Sequence, residues 1–286
     1  MTIEEPAADG FECGATWSAG FRRAPEASLA AWLELALAAC DEADAIAQRW
    51  FRRDVPVSTK PDRTYVTEAD QEVERAIRAR IKAAYPDHGL VGEEYGTEAG
   101  AASTRWIIDP IDGTHNFMRG VPLFGTLLAV QVDGEVQVGV MSAPALGERW
   151  FAVRGGGAWA VDSAGERRAI RVSSVGSIGD SQLLYGSRRD NVASGQLPGF
   201  DALIAECWRE RGFGDFWGYA LLAEGCAEAM MEVGLKIWDA AAPVIIIEEA
   251  GGLATDVDGA RSLESVTFVG TNGRLHGEIL RRLRAG

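Results

Sequence analysis

Two aspartates, Asp109 and Asp112, stand three positions apart in the stretch WIIDPIDGTHNF, residues 106–117. Carboxylates this close repel each other unless a positive charge sits between them. The apolar run WIID reads as a strand that delivers Asp109 at its carboxyl end. Pro110 cannot donate to a sheet ladder, so the chain is expected to leave the strand there. Asp112 then falls on a turn, close enough to share a cation with Asp109. Gly113 and Thr114 open a short helix whose first N–H groups can receive an anion such as phosphate. The same stretch also reads as an ordinary loop with a helix cap, so it does not decide the matter alone.

Two further acidic stretches bear on it. VGEEYG places Glu93 and Glu94 at the end of a short strand, between glycines. KIWDAAAPVIIIEEAGG places Asp239 just ahead of a very apolar helix. Separately, the first is a solvated turn and the second an N-cap aspartate. Together they make three carboxylate clusters at the ends of strands or helices. Hard oxygen donors of this kind suit Mg²⁺ rather than zinc. The three histidines (His88, His115, His276) and four scattered cysteines form no zinc set and no disulfide framework.

The elements that must position these groups can be read from periodicity. Glu26 to about Arg53 is helical, with Leu29, Trp32, Leu33, Ala36, Leu37 and Cys40 on one stripe. A second helix runs from about Thr67 to Tyr85, with Val73, Ile77 and Ile81 on its apolar face and Asp70 in its first turn. FGTLLAVQVDGEVQVGVMSAP is a hairpin turning at Asp133-Gly134, and RWFAVRGGGAWAV is another, turning at Gly155 to Gly157. From about residue 170, strands and helices alternate. SQLLYGS and SVTFVGT are expected strands, and 199–211, 216–232, 239–250 and 274–284 expected helices. That alternation predicts an α/β half. The domain reading is a flexible extension at 1–24, an α+β half at 25–168 and an α/β half at 169–286.

With 286 residues and a net charge of −14, the chain is a globular protein with no basic cluster for a nucleic-acid backbone. An acidic chain can still take a phosphate if metal cations mediate. No apolar run reaches a membrane-spanning length, and MTIEEPAADGFECG lacks the features of a signal peptide. A cytoplasmic location and no membrane partner are expected.

The motifs GEE, WIIDPIDGTHNF and WDAAAPVIIIEEAGG, in that order and spacing, resemble those of the inositol monophosphatase superfamily over roughly residues 28–284. The resemblance implies a layered α-β-α-β-α sandwich of the inositol monophosphatase and fructose-1,6-bisphosphatase type. It also implies a Mg²⁺-dependent, lithium-sensitive phosphomonoesterase. Glu93, Asp109 and the carbonyl of Ile111 correspond to the ligands of a first ion, and Asp109, Asp112 and Asp239 to those of a second. A third, weaker ion would lean on Glu93, and Mn²⁺ would substitute for Mg²⁺. Asp70 and Thr114 correspond to the pair that orients and deprotonates the attacking water, and Gly113 and Thr114 to the phosphate-binding amides. Two ions about 3.5–4 Å apart can clamp the attacking and leaving oxygens of an in-line displacement. No side-chain nucleophile is then required. Relatives are commonly homodimers, and a homodimer is expected here.

A narrower resemblance runs through residues 119–159 and GDFWGYALLAEGCAEAMME, which are similar to the histidinol-phosphatase branch. It places Asp215 and Glu232 against the leaving group, where they suit the ammonium and imidazole of histidinol phosphate. Asp112 is expected to touch the substrate as well. Trp217 or Tyr219 would stack on the imidazole. Asp215 also reads as a helix cap and Trp217 as core. His115 departs from the threonine or lysine of many relatives and is left without a role. Lys60, in the loop STKPDR, either reaches the metal site or stays solvated. Rival readings are an inositol- or sugar-phosphate phosphatase of the same fold, and a non-catalytic metal-binding regulator. A phosphoaspartyl-type phosphatase, whose signature also ends in DGT, is disfavoured because its aspartates stand two apart. RGGGAW lacks the pattern of a nucleotide loop.

Overall fold

A computed structural model describes residues 23–60 and 65–285. The extension expected at 1–24 lies outside the described residues as far as residue 22. Arg23 and Ala24 are tied down: Arg23 Nε donates to the Arg154 carbonyl at 2.6 Å and the Ala24 N–H to Gln137 Oε1 at 3.0 Å.

The chain opens with α1 (Glu26–Trp50), the short pair β1 (Val57–Thr59) and β2 (Tyr65–Thr67), and α2 (Glu68–Ala84). Then come β3 (Gly89–Gly92), β4 (Gly96–Glu98), β5 (Thr104–Asp112), α3 (Thr114–Met118), β6 (Gly125–Val132), β7 (Glu135–Ala143), β8 (Glu148–Val153), β9 (Ala158–Val161) and β10 (Arg167–Ile170). The remainder is β11 (Gln182–Tyr185), α4 (Arg188–Ala193), α5 (Phe200–Glu206), β12 (Arg209–Arg211), α6 (Asp215–Ala223), β13 (Ala229–Val233), α7 (Ile237–Glu249), β14 (Leu253–Thr255), β15 (Thr267–Thr271) and α8 (His276–Arg284).

Strands β3–β10 form an eight-stranded sheet in the order β10-β9-β8-β7-β6-β5-β3-β4, and β11–β15 a five-stranded one in the order β12-β11-β13-β15-β14. Five layers result. α1 and α2 cover one face of the large sheet; α6 and α7 lie between the sheets; α5 and α8 cover the outer face of the small sheet. The large sheet is therefore buried on both faces, which is why β5 carries the unbroken apolar run Trp106–Ile107–Ile108. Trp106 and Ile108 face α1 and α2, while Ile107 faces α7. α7 lies unusually close because Gly139 of β7 has no side chain: a Cβ there would meet Ile245 Cγ2 at 2.5 Å. The expected hairpin turn at Asp133-Gly134 is present, both residues having positive φ (50° and 86°) as a two-residue turn of the I′ kind requires.

The elements differ from expectation in three places. β5 does not end at Pro110. It bulges, so that Asp109 pairs with Leu127 and Asp112 with Gly125, leaving Thr126 opposite two residues. Proline is tolerated at a bulge because no ladder donor is needed there. Thr126 Oγ1 donates to the Pro110 carbonyl at 2.8 Å and holds the bulge. The helix expected over 216–232 stops at Ala223. Gly225 takes φ 77° and its N–H and that of Cys226 turn back on Leu222 and Leu221, a glycine stop. Ala229–Val233 then forms the central strand of the small sheet, between β11 and β15. The helix expected over 199–211 likewise ends at Glu206, and Arg209–Arg211 pairs parallel to β11.

Candidate metal and phosphate site

β5 and its bulge bring Asp109 and Asp112 to one end of the large sheet, and the first turn of α7 brings Asp239 to meet them. One carboxylate oxygen from each of the three lies within 4.8 Å of the others. Asp239 is the third residue of α7 rather than its N-cap; its Oδ2 accepts the N–H of Lys236, the N-cap, at 2.6 Å. Asp112 Oδ2 accepts the Phe216 N–H at 2.6 Å, which fixes the start of α6 against the group. Asp109 is fully buried, and its Oδ1 has no hydrogen-bond partner. A buried carboxylate oxygen without a donor is costly unless a cation completes it. Burial first, and then the neighbouring carboxylates, push Asp109 and Asp112 well above the usual carboxylate range. Burial raises Asp239 to about 6. Three hard oxygen donors, one of them orphaned, fit a divalent cation such as Mg²⁺.

Glu93 follows β3, its N–H bonded to the Ile108 carbonyl at 3.3 Å, so it stands beside the end of β5. Lys60 Nζ donates to Glu93 Oε1 and Glu94 Oε1, both at 2.7 Å. Of the two readings of Lys60, the structure places it at the acidic cluster. Burial raises Glu94 to about 7.

Asp70 sits at the third position of α2 and closes a capping box with Thr67. Its Oδ2 accepts the Thr67 N–H at 2.7 Å and the Thr67 hydroxyl at 2.5 Å. Burial raises Asp70 to about 6, against the lowering by Thr67. Thr114 Oγ1 lies 3.3 Å from Asp70 Oδ1 and 3.0 Å from the Ile111 carbonyl, both within donating reach. Asp70 thus meets Thr114, 44 positions further on, with the Ile111 carbonyl beside it. Gly113 has φ 80°, a left-handed conformation that turns β5 into α3.

Beside this group opens a cavity of about 380 Å³ lined by residues that include His115, Asn116, Asp190, Phe213, Asp215 and Glu232. Burial pushes Glu232 up to about 8, and Tyr219 donates its hydroxyl to it. Asp215 Oδ2 accepts Asn116 Nδ2 at 3.2 Å. Asp215 opens α6 with φ 48°. Trp217 does not line the cavity; it packs on Phe213, ring centroids 4.9 Å apart, and Phe213 does line it. Tyr219 is buried against Phe268. His115 lies on the wall, edge-on to Tyr65 at 5.5 Å. Sequence reading missed Asn116, Asp190 and Phe213. Asn116 was within reach, since it follows the DGTH motif directly; the other two carry no local signal.

The Inositol monophosphatase family matches residues 28–285. The histidinol-phosphatase of Mycobacterium tuberculosis is 43% identical, covering 89% of this chain and 98% of that protein. The histidinol-phosphatase of Streptomyces coelicolor is 44% identical, covering 87% and 95%. The crystal structure of the extragenic suppressor protein suhB from Bartonella henselae superposes with a TM-score of 0.83 at 29% identity, covering 90% of this chain and 99% of that one. The chain belongs to the inositol monophosphatase family and shares its layered α/β fold, as the motifs implied. It is a phosphomonoesterase of that family. Among the described residues no helix is long and apolar enough to cross a membrane.

Proposed function

We propose that this enzyme hydrolyses L-histidinol phosphate to L-histidinol and phosphate in a magnesium-dependent reaction. The observation that carries the substrate choice is the cavity beside the carboxylate group. Asp190, Asp215 and Glu232 line it, with no lysine or arginine among its lining residues. A leaving group with an ammonium and an imidazole suits such a wall through opposite charge, whereas neutral inositol could offer it only hydroxyl hydrogen bonds. Similarity to two histidinol-phosphatases over most of both chains supports the same choice.

Glu93, Asp109, the Ile111 carbonyl, Asp112 and Asp239 would hold two to three Mg²⁺, with Mn²⁺ able to substitute. Bound magnesium supplies positive charge to the phosphate oxygens and makes a water nucleophilic near neutral pH. Asp70, held by Thr67 on one oxygen and facing the Thr114 hydroxyl with the other, accepts a proton as the water attacks. The backbone N–H groups of Gly113 and Thr114 orient the phosphate, and Asp112, Asp215 and Glu232 face the leaving alcohol. Phe213, rather than Trp217, offers the ring that an imidazole could meet. A cytoplasmic homodimer inhibited by lithium is part of the same reading.

Phosphate release from histidinol phosphate, inositol 1-phosphate, fructose 1,6-bisphosphate and β-glycerophosphate, in Mg²⁺ and in EDTA, tests it. Two charge-assisted contacts predict a preference for histidinol phosphate of about a hundredfold, lost in EDTA. Metal-dependent turnover that favours inositol 1-phosphate would reject the substrate assignment and keep the metal one.

A further inference from the structure

We infer that Glu74, a residue outside the carboxylate group and the cavity, is a positioning residue for Glu93. This rests on the magnesium reading above. Glu74 lies in the second turn of α2 and is completely buried. Its Oε2 accepts the Glu94 N–H at 2.7 Å, and its Oε1 accepts the Tyr95 N–H at 3.2 Å and Arg78 Nε at 2.7 Å. Arg78 completes the clamp by donating to the Gly96 carbonyl and lying over the Tyr95 ring at 5.9 Å. The approach is so close that a Cβ on Gly92 would meet Glu74 Oε1 at 2.0 Å. A side chain at the first residue of the GEE motif would push the Glu74 carboxylate off its donors.

The turn from Glu93 to Gly96 is thus held on both sides. Ile108 accepts the Glu93 N–H, and Glu74 accepts the next two N–H groups. Held so, Glu93 lies near enough to Asp109 to raise its carboxyl, and Lys60 bridges Glu93 and Glu94. A buried ion pair is a poor source of stability in itself. Neutral side chains or water would satisfy two turn amides as well. What a carboxylate with three donors adds is a fixed direction for the residue between them. Groups that orient a metal-holding side chain typically change metal affinity by about tenfold to a hundredfold.

The test uses the full-length protein and reads Mg²⁺ affinity by calorimetry, and Mn²⁺ affinity by electron paramagnetic resonance, beside the melting temperature. Glu74→Gln keeps the shape but turns an amide nitrogen toward an N–H. We expect Mg²⁺ and Mn²⁺ to bind about tenfold to a hundredfold more weakly, with kcat recovered at saturating Mg²⁺. Arg78→Lys keeps both charges and loosens only the clamp, so a smaller weakening there separates geometry from charge; it also decides the matter should Glu74→Gln not fold. Asp44→Asn is the control. Asp44 bonds Ser142 and Arg149 away from the site, and its loss should lower the melting temperature with metal affinity unchanged. Glu93→Gln calibrates the scale. If Glu93→Gln weakens metal binding while Glu74→Gln and Arg78→Lys do not, the positioning role is overturned and the site reading stands. If Glu93→Gln itself leaves affinity unchanged, the site reading falls and this inference with it.

Discussion

The two ends of α7 treat carboxylates in opposite ways. At its last turn, Glu248 and Glu249 meet arginines: Arg154 Nη2 lies 2.8 Å from Glu248 and Nη1 3.3 Å from Glu249, and Arg261 lies 2.5 Å from Glu248. Arg261 also reaches Glu135. At its first turn, Asp239 meets Asp109 and Asp112, and no arginine or lysine is bonded to any of the three in the described structure. One end is a finished structural ion-pair network. The other is left short of positive charge and has to take it from solution. Buried carboxylates with raised pKa values and no cationic partner mark a functional site rather than a stabilising one.

Removing a carboxylate from the open end should cost activity, not stability. Asp112→Asn should lower turnover by about a thousandfold or more, the worth of several kcal/mol of charge stabilisation. Circular dichroism should show the fold intact. Turnover like that of the wild type would remove Asp112 from the metal group. Removing an arginine from the closed end should do the reverse. Arg154→Met leaves Glu248 with Arg261 alone and Glu249 with only the Gly155 and Gly157 N–H groups, and should destabilise by up to about 3 kcal/mol, read from urea unfolding, with kcat unchanged for molecules that remain folded. A smaller and more selective effect is expected at the cavity. Asp215→Asn should slow histidinol phosphate by about tenfold, as the loss of one charge-assisted contact predicts, and leave β-glycerophosphate nearly unaffected. Equal losses on both substrates would make Asp215 a support for Asn116 and α3 rather than a specificity residue.

Much of the open end was legible in the sequence because its carboxylates border apolar runs. Asp109, Asp112, Asp239 and Glu93 could be picked out at the borders of apolar runs, and the family resemblance supplied the roles of Asp70 and Thr114. The closed end was not legible at all. Arg154 and Glu248 are 94 positions apart, and nothing local to either predicts the pair. The bulge at Pro110 was misread as an exit from the sheet, because the hydroxyl that holds it belongs to Thr126 on the next strand. β13 was read as helix because AEAMME has good helix formers, and pairing with β11 and β15 overrode that preference. Asp190 and Phe213 reach the cavity only through the packing of the small sheet against the large one.

The contrast also has a pH signature. A carboxyl whose folded pKa is raised contributes stability below its unfolded value of about 4, and that contribution is lost as pH rises through the folded value. Asp239, raised to about 6, and Asp109 and Asp112, raised well above the usual carboxylate range, should therefore weaken the metal-free fold as pH rises from about 4 through 6. His276, buried and lowered to about 4, acts in the opposite direction over the acid part of that range, so the comparison has to be made against a variant. The most direct test is the melting temperature of wild type and Asp109→Asn at pH 5 and pH 8, each in EDTA and in Mg²⁺. In EDTA, Asp109→Asn should be the more stable protein, and by more at pH 8 than at pH 5. Mg²⁺ at about a hundred times its dissociation constant should then stabilise the wild type by about 2.7 kcal/mol and the variant far less. A wild type that melts at the same temperature in Mg²⁺ and in EDTA, or that outlasts Asp109→Asn without metal, would contradict the account.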